Sequence, residues 1–279
     1  MGRMKFALCN EVLADMTFER QCAYAAALGY DGLELAPYTV GGAEPHRMDG
    51  ARRRDIRRLA KDAGLSIDGL HWLLVKPEGL SITSSDPDTR ARTLDVMRGL
   101  VDLCAELGGS YLVHGSPAQR RLPDGPDAAE ARKRGVDAFA SVAPHAERAG
   151  VVYCVEALAP PAANFVTSIA EAAEIVRAIG SKALRTMIDC SATGASGLDI
   201  ASVAETWLPT GLIAHVQVND RNRRGPGQGE DRFAPFFAAL GRHGYDRVVA
   251  VEPFDYVPDG AGAAARAIGY LRGIVEAQS

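Results

Sequence analysis

Several things are scarce in this chain of 279 residues, and each scarcity excludes a class. The five cysteines (Cys9, Cys22, Cys104, Cys154, Cys190) form no CxxC pair, so neither a zinc knuckle nor a thioredoxin-like redox motif is spelled out. Their odd number, with three of them in apolar runs, suits reduced cysteines acting as small hydrophobes. No apolar run approaches the roughly 18 residues that a membrane span needs. The start, MGRMKFALCNEVL, has no long apolar h-region before a small-residue cleavage site, so the expected location is cytoplasmic. Lys and Arg (31) do not outnumber Asp and Glu (35), leaving a net charge of −4 and no advertised nucleic-acid face. Aromatic residues are only 6%, which removes the aromatic-laced basic stripe of a single-strand binder. Neither GxGxxG nor GxxxxGK[ST] occurs, so no dinucleotide or nucleoside-triphosphate cradle is encoded by motif.

What is present is repetition. Short apolar, β-branched runs recur at residues 4–10, 32–37, 66–73, 110–115, 151–158, 184–191, 213–220 and 247–254. Amphipathic stretches with start and stop signals separate them. Thr17 opens a helix that Gly29 ends, Asp86-Pro87 opens one closed by Gly108-Gly109, and Pro126-Asp127 opens one that runs to Gly150. Thr167 or Ser168 begins a helix ending at Gly180; further helices are expected at 52–63, near 199–207, at 231–242 and at 260–276. Eight strand-then-helix units with nearly continuous apolar strands predict an α/β fold, a (β/α)8 barrel, as one domain over residues 1–279.

In such a barrel the chemistry sits at the C-terminal strand ends. Seven strands carry a titratable side chain there or near it: Glu34, His71, His114, Glu156, Asp189, His215 and Glu252. Singly, each reads as a core histidine, a cap or a solvated rim group, and Glu34 as either a pocket residue or a loop cap. Together they say more. Glu156, Asp189 and Glu252 each follow a strongly apolar run, and three part-buried carboxylates repel unless a cation neutralises them. Carboxylates with His215 as a nitrogen ligand suit a divalent metal ion, Mn2+ ahead of Mg2+, Co2+ or Zn2+.

The segments VEALAP, MIDCSATG, HVQVNDRNRRGPGQGED and VEPF, with ligand spacings of 33, 26 and 37 residues, resemble the xylose-isomerase-like TIM-barrel superfamily along the whole chain. The resemblance is nearest to the ketose 3-epimerase branch. It implies Glu156, Asp189, His215 and Glu252 as metal ligands, with Glu156 and Glu252 doubling as the catalytic acid/base pair. It implies His71, His114 and Arg221 as substrate contacts, and a small sugar or keto-polyol as the partner. Homo-oligomers are frequent in that family; neither nucleic acid nor membrane is implied. The expected activity is a metal-dependent isomerase or epimerase working through a stabilised enediolate, with a lyase or dehydratase on a keto-sugar or cyclic keto-polyol as the alternative. Two substitutions set this chain apart. Ala162 stands where the epimerases carry a second substrate Glu, and Ala192 where they carry a His. Ala192 and Gln217 also argue against the three-metal cluster of the apurinic endonucleases, and four ligand-type residues in register argue against a non-catalytic barrel.

Overall fold

The computed structural model describes residues 4–278. Eight parallel strands follow one another around a closed barrel in chain order. They are β1 (Lys5–Cys9), β2 (Gly32–Leu35), β3 (Ser66–Leu70), β4 (Tyr111–His114), β5 (Val152–Val155), β6 (Leu184–Asp189), β7 (Ile213–Val218) and β8 (Val248–Val251). All eight expected strands and the (β/α)8 order are therefore present, each strand shorter than its apolar run. The helices are α1 (Phe18–Leu28), α2 (Pro37–Gly41), α3 (Gly50–Asp62), α4 (Pro87–Leu107), α5 (Ala128–Ala149), α6 (Ile169–Ile179), α7 (Cys190–Ala195), α8 (Ile200–Trp207), α9 (Phe233–Arg242) and α10 (Gly260–Glu276). No helix among the described residues is long and apolar enough to cross a membrane.

The helix boundaries follow local chemistry. Thr17, Asp86, Ser168 and Asp199 each accept a backbone N–H of the first turn, and Gly29, Gly108 and Gly180 close helices with φ near +89°, +89° and +72°. Such a cap is worth about 1 kcal/mol, and the left-handed closing residue is cheap only for glycine. One expected boundary fails: α9 begins at Phe233, after Asp231, because Asp231 is buried and its carboxylate is committed to Arg221. Two short helices, α2 and α7, occupy stretches expected to be loop or strand end.

Internal contacts divide the chain into two compact units, residues 4–34, 58–68 and 187–278 forming one, Leu35–Arg57 and Gly69–Thr186 the other. In the first, β8, β1 and β2 lie in register, with Leu8 opposite Val251 and Cys9 opposite Glu34, while β7 pairs β8 with Val218 opposite Val251. Phe6, Phe233, Phe236 and Phe237 are buried in this unit, the last two edge to face. In the second unit β4 pairs both β3 and β5, and Phe139 of α5 packs between His114 and Phe165. Gly135, one turn before Phe139, lets α5 approach Phe165: a Cβ there would lie 2.4 Å from that ring.

This contact reverses the ordinary sign of a glycine-to-alanine change in a helix. Alanine normally gains about 1 kcal/mol there. Gly135→Ala is expected to destabilise the protein by about 1–3 kcal/mol through overpacking against Phe165. Urea denaturation checks it; a variant more stable than the parent sinks the packing argument.

Candidate functional site

In the first unit a buried network lies along the inward face of β7. Glu34 is fully buried, with Oε2 2.8 Å from His215 Nε2 and Oε1 accepting from Gln217 Nε2 at 2.7 Å. The Cys9 thiol reaches the same Oε1 at 3.6 Å, and burial, followed by the Glu34 charge, raises its pKa well above the usual thiol range. Glu34 is thus a buried carboxylate inside the strand layer and not a loop cap.

Height along the strand separates His215 from Gln217. Val218 pairs with Val251 and the Glu252 N–H donates to Val218 O, so Asn219 stands level with Glu252. His215 lies four residues short of that level, about 13 Å along a strand, and Gln217 two residues, about 7 Å. Both point inward, since side chains two apart share a face. Gln217 donates its Nε2 to Glu34, while its Oε1 is buried with no hydrogen-bond partner among the described residues. The geometry therefore favours the amide oxygen of Gln217 over His215 as the β7 donor nearest Glu252. Sequence parity gives the face of a strand but not the height.

Asn219 ties two strand ends together. Its Nδ2 donates to Asp189 Oδ2 at 2.8 Å and to the Glu252 carbonyl at 2.9 Å, while its Oδ1 accepts from Ser191 N at 2.7 Å. Asp189 Oδ1 accepts from Ala192 N and Ser191 Oγ, so this carboxylate also caps α7. Burial pushes the Asp189 pKa up, and the hydrogen bonds from Ala192, Asn219 and Ser191 work against that rise. Glu252 is buried at the end of β8. Its carboxylate, the Cys9 sulfur and a Glu11 oxygen lie within 4.8 Å of one another, a group of ligand atoms able to hold a metal ion. Two of those three ligand atoms are carboxylate oxygens, the donors a hard divalent cation takes. Glu11, just past β1, went unnoticed in the sequence because a glutamate beside a 3₁₀ turn carries no motif.

The arginine-rich loop after β7 behaves differently from expectation. Arg221 donates its Nε and Nη2 to Asp231 Oδ1 and its backbone N to Oδ2, so its guanidinium is occupied by a buried carboxylate. Arg223, at φ +70°, lies over the Phe254 ring at 5.0 Å, and its carbonyl accepts from Phe254 N and Asp255 N. A non-glycine residue in that region is strained, and here two backbone hydrogen bonds from the segment that follows Glu252 hold it. Arg223 is thus tied to the β8 end, as is Arg224, whose Nε donates to Asp255 Oδ2 at 2.8 Å. In GPGQG only Gly227 takes positive φ; Gly229 is required for space, because a Cβ would fall 2.1 Å from Asp220 Oδ1.

In the second unit Glu156 follows β5 and is buried, its carboxylate lying across Gly115, where a Cβ would come 1.7 Å from Oε2. The Arg120 Nη1 donates to the Glu156 carbonyl. His71 is buried just past β3, its backbone N donating to Leu35 O. His114 is fully buried, edge-on to Phe139, with Nδ1 2.7 Å from the Tyr153 hydroxyl. That setting makes it a core group at the strand end, not a rim contact. Burial, with help from the Arg120 charge, lowers its pKa to about 3.

Comparison with known proteins identifies similar chains. The family model described as xylose isomerase-like TIM barrel matches residues 22–274. D-psicose 3-epimerase of Agrobacterium fabrum is 25% identical over 234 residues, covering 82% of this chain and 76% of that protein. A putative hydroxypyruvate isomerase of Streptomyces coelicolor is 25% identical over 264 residues, covering 87% and 91%. Among solved structures, 3-keto-D-glucoside 4-epimerase from E. coli superposes with a TM-score of 0.82 at 20% identity, covering 97% of this chain and 100% of that one. An L-ribulose 3-epimerase gives 0.82 at 20%, covering 99% and 95%. At that identity the structural likeness concerns the fold.

The depressed pKa of His114 has a consequence for stability. The unfolded chain takes up a proton near pH 6.5 and the native one only near pH 3. Between those values the unfolded state holds more protons, so stability falls as the pH is lowered, by about 1.4 kcal/mol per unit at most from this group. His114→Phe is expected to flatten the stability profile below pH 6.5. An unchanged slope by chemical denaturation at pH 6.5, 5.5 and 4.5 contradicts it.

Proposed function

Because the chain belongs to the xylose isomerase-like TIM-barrel family, we propose that it is a divalent-metal-dependent isomerase or epimerase of a sugar or keto-polyol. The observation that carries this reading is the Asn219 bridge, which holds the Asp189 carboxylate and the Glu252 backbone in one hydrogen-bonded unit at the C-terminal ends of β6 and β8. The names of the relatives support the class: one is a D-psicose 3-epimerase and another a putative hydroxypyruvate isomerase.

In the proposed site Glu156, Asp189 and Glu252 would hold the cation, with the Gln217 amide oxygen in place of His215 as the β7 donor. A bound divalent cation, Mn2+ first, would supply polarisation of the substrate carbonyl. Glu156 and Glu252 act on the substrate's carbon-bound hydrogen: one carboxylate removes the proton and the other returns it. Return to the opposite face gives an epimer, and return to the neighbouring carbon gives an isomer. Arg223 steadies substrate oxygens from the loop edge, in the role first given to Arg221. His215 acts on the cation only through Glu34 and Gln217, by keeping the amide turned so that its oxygen faces away from the carboxylate.

Glu252→Gln is expected to lower turnover by at least about 10²-fold, as for a lost general base, and to leave the fold intact. Proton NMR in D2O with keto-sugars and Mn2+ reads the reaction: exchange at a retained carbon marks an isomerase or epimerase, and loss of water marks a dehydratase. Undiminished turnover in that variant overturns the role of Glu252. Calorimetric titration of Mn2+ is expected to show a loss of roughly tenfold or more in Gln217→Met; unchanged affinity removes Gln217 from the ligand set.

A further inference from the structure

The cation least expected from the sequence is Arg120. It lies in the loop between β4 and α5, at the end of a 3₁₀ turn (Ala118–Arg120), and its side chain is fully buried. Loops of this kind usually send arginines to solvent. Here the segment is pinned on both sides. Ile82 N donates to Gln119 O, the Thr83 hydroxyl donates to Arg121 O, and the Asn164 amide pairs with both backbone groups of Leu122. The guanidinium is thereby fixed at the ends of β4 and β5. Its one hydrogen bond among the described residues runs from Nη1 to the Glu156 carbonyl. Nε and Nη2 are buried and have no partner among the described residues.

Those two nitrogens form one edge. Their N–H bonds run parallel, and that edge of a guanidinium matches the two oxygens of a carboxylate. Leaving charged donors buried and unpaired costs more than an ordinary hydrogen bond returns, so the arrangement is expensive unless a ligand completes it. Burial lowers the Arg120 pKa to about 10, and the charges of Glu156 and Glu171 oppose that fall. The side chain is therefore cationic at neutral pH. Glu171 is itself bonded to Arg132 and Thr167 and gives Arg120 only a long-range interaction.

We propose that the Nε–Nη2 edge of Arg120 binds the carboxylate of the substrate, so that the substrate class is a keto acid or sugar acid and not a neutral ketose. This rests on the reading of Glu156 as a carboxylate of the active site. The anion bound at Arg120 would sit beside Glu156, one residue beyond β5, and would hold the substrate by its acid end while the hydrogen next to the carbonyl is moved. A phosphate, with three terminal oxygens, would leave at least one of them without a donor from this single edge; a carboxylate leaves none.

The test uses metal-free protein in EDTA, so that no cation contributes to affinity, and three probes that share a carbon skeleton: D-glycerate, glycerol 3-phosphate and glycerol. Calorimetry is expected to show wild-type protein binding glycerate at least tenfold more tightly than glycerol or glycerol 3-phosphate. Arg120→Met is expected to bind glycerate and glycerol within twofold of each other. Arg120→Lys, which keeps the charge without the paired edge, is expected to fall between. Equal binding of glycerate and glycerol by wild-type protein, tighter binding of glycerol 3-phosphate, or a full glycerate preference in either variant overturns the proposal. A Mn2+ titration of the same preparations keeps the two readings apart. Failure to bind Mn2+ counts against the metal-dependent isomerase, while the glycerate preference is judged without any metal.

Discussion

The amide of Asn219 is the interaction on which the site depends. Asp189 is a buried carboxylate whose charged form is penalised by burial, and it stays anionic only if donors surround it. Asn219 supplies one of them, and with the same Nδ2 it holds the carbonyl of Glu252, the residue at the end of β8. Its Oδ1 accepts the backbone of Ser191, the residue through which α7 leaves β6. An aspartate in its place would bring a second negative charge against Asp189, and an aliphatic residue would release three hydrogen bonds at once. Each is worth about 1 kcal/mol net, and more when its loss leaves a buried partner unsatisfied.

The second constraint is the density of buried acid. In the first unit Glu34, Asp189 and Glu252 are all buried, and Glu11 is half-buried beside Glu252. Glu34 is answered by an imidazole, an amide and a thiol, which are matched to it by height. For Glu252, on the proposed reading, a cation shares the carboxylate with the substrate. The two solutions differ because the chemistry differs. A carboxylate meant to orient a neighbour is satisfied by fixed protein donors. One meant to exchange a proton must keep its oxygens for the substrate and for an ion that can share them.

The repeating pattern of apolar runs and capped helices was legible because each element signals itself locally. Thr17, Asp86, Ser168 and Asp199 cap helices in the structure as their sequence context implied. The site was legible only in part. That β5, β6 and β8 end in acids follows from the strand boundaries. That Gln217 stands nearer than His215 to the level of Glu252, and that His215 lies beside Glu34, depends on the stagger of one strand against its neighbours. No window of sequence contains that stagger. The helix expected from residue 231 starts at Phe233 for a related reason: only the fold brings Asp231 to Arg221.

Ala162 and Ala192 can be weighed against Arg120. A site for a neutral sugar recognises hydroxyl groups, and each lost polar contact lowers that recognition; the two alanines remove side chains that could have supplied such contacts. Burying a guanidinium is the opposite kind of investment, since it costs several kcal/mol when left unpaired and returns it only to an anion. On the proposed reading, acid residues at the strand ends, alanines at positions 162 and 192 and an arginine buried against the backbone of Glu156 place recognition on one charge in preference to many hydroxyls. That trade preserves the chemistry next to the carbonyl, since the carboxylates proposed to move the proton are untouched, and changes only the end by which the substrate is held.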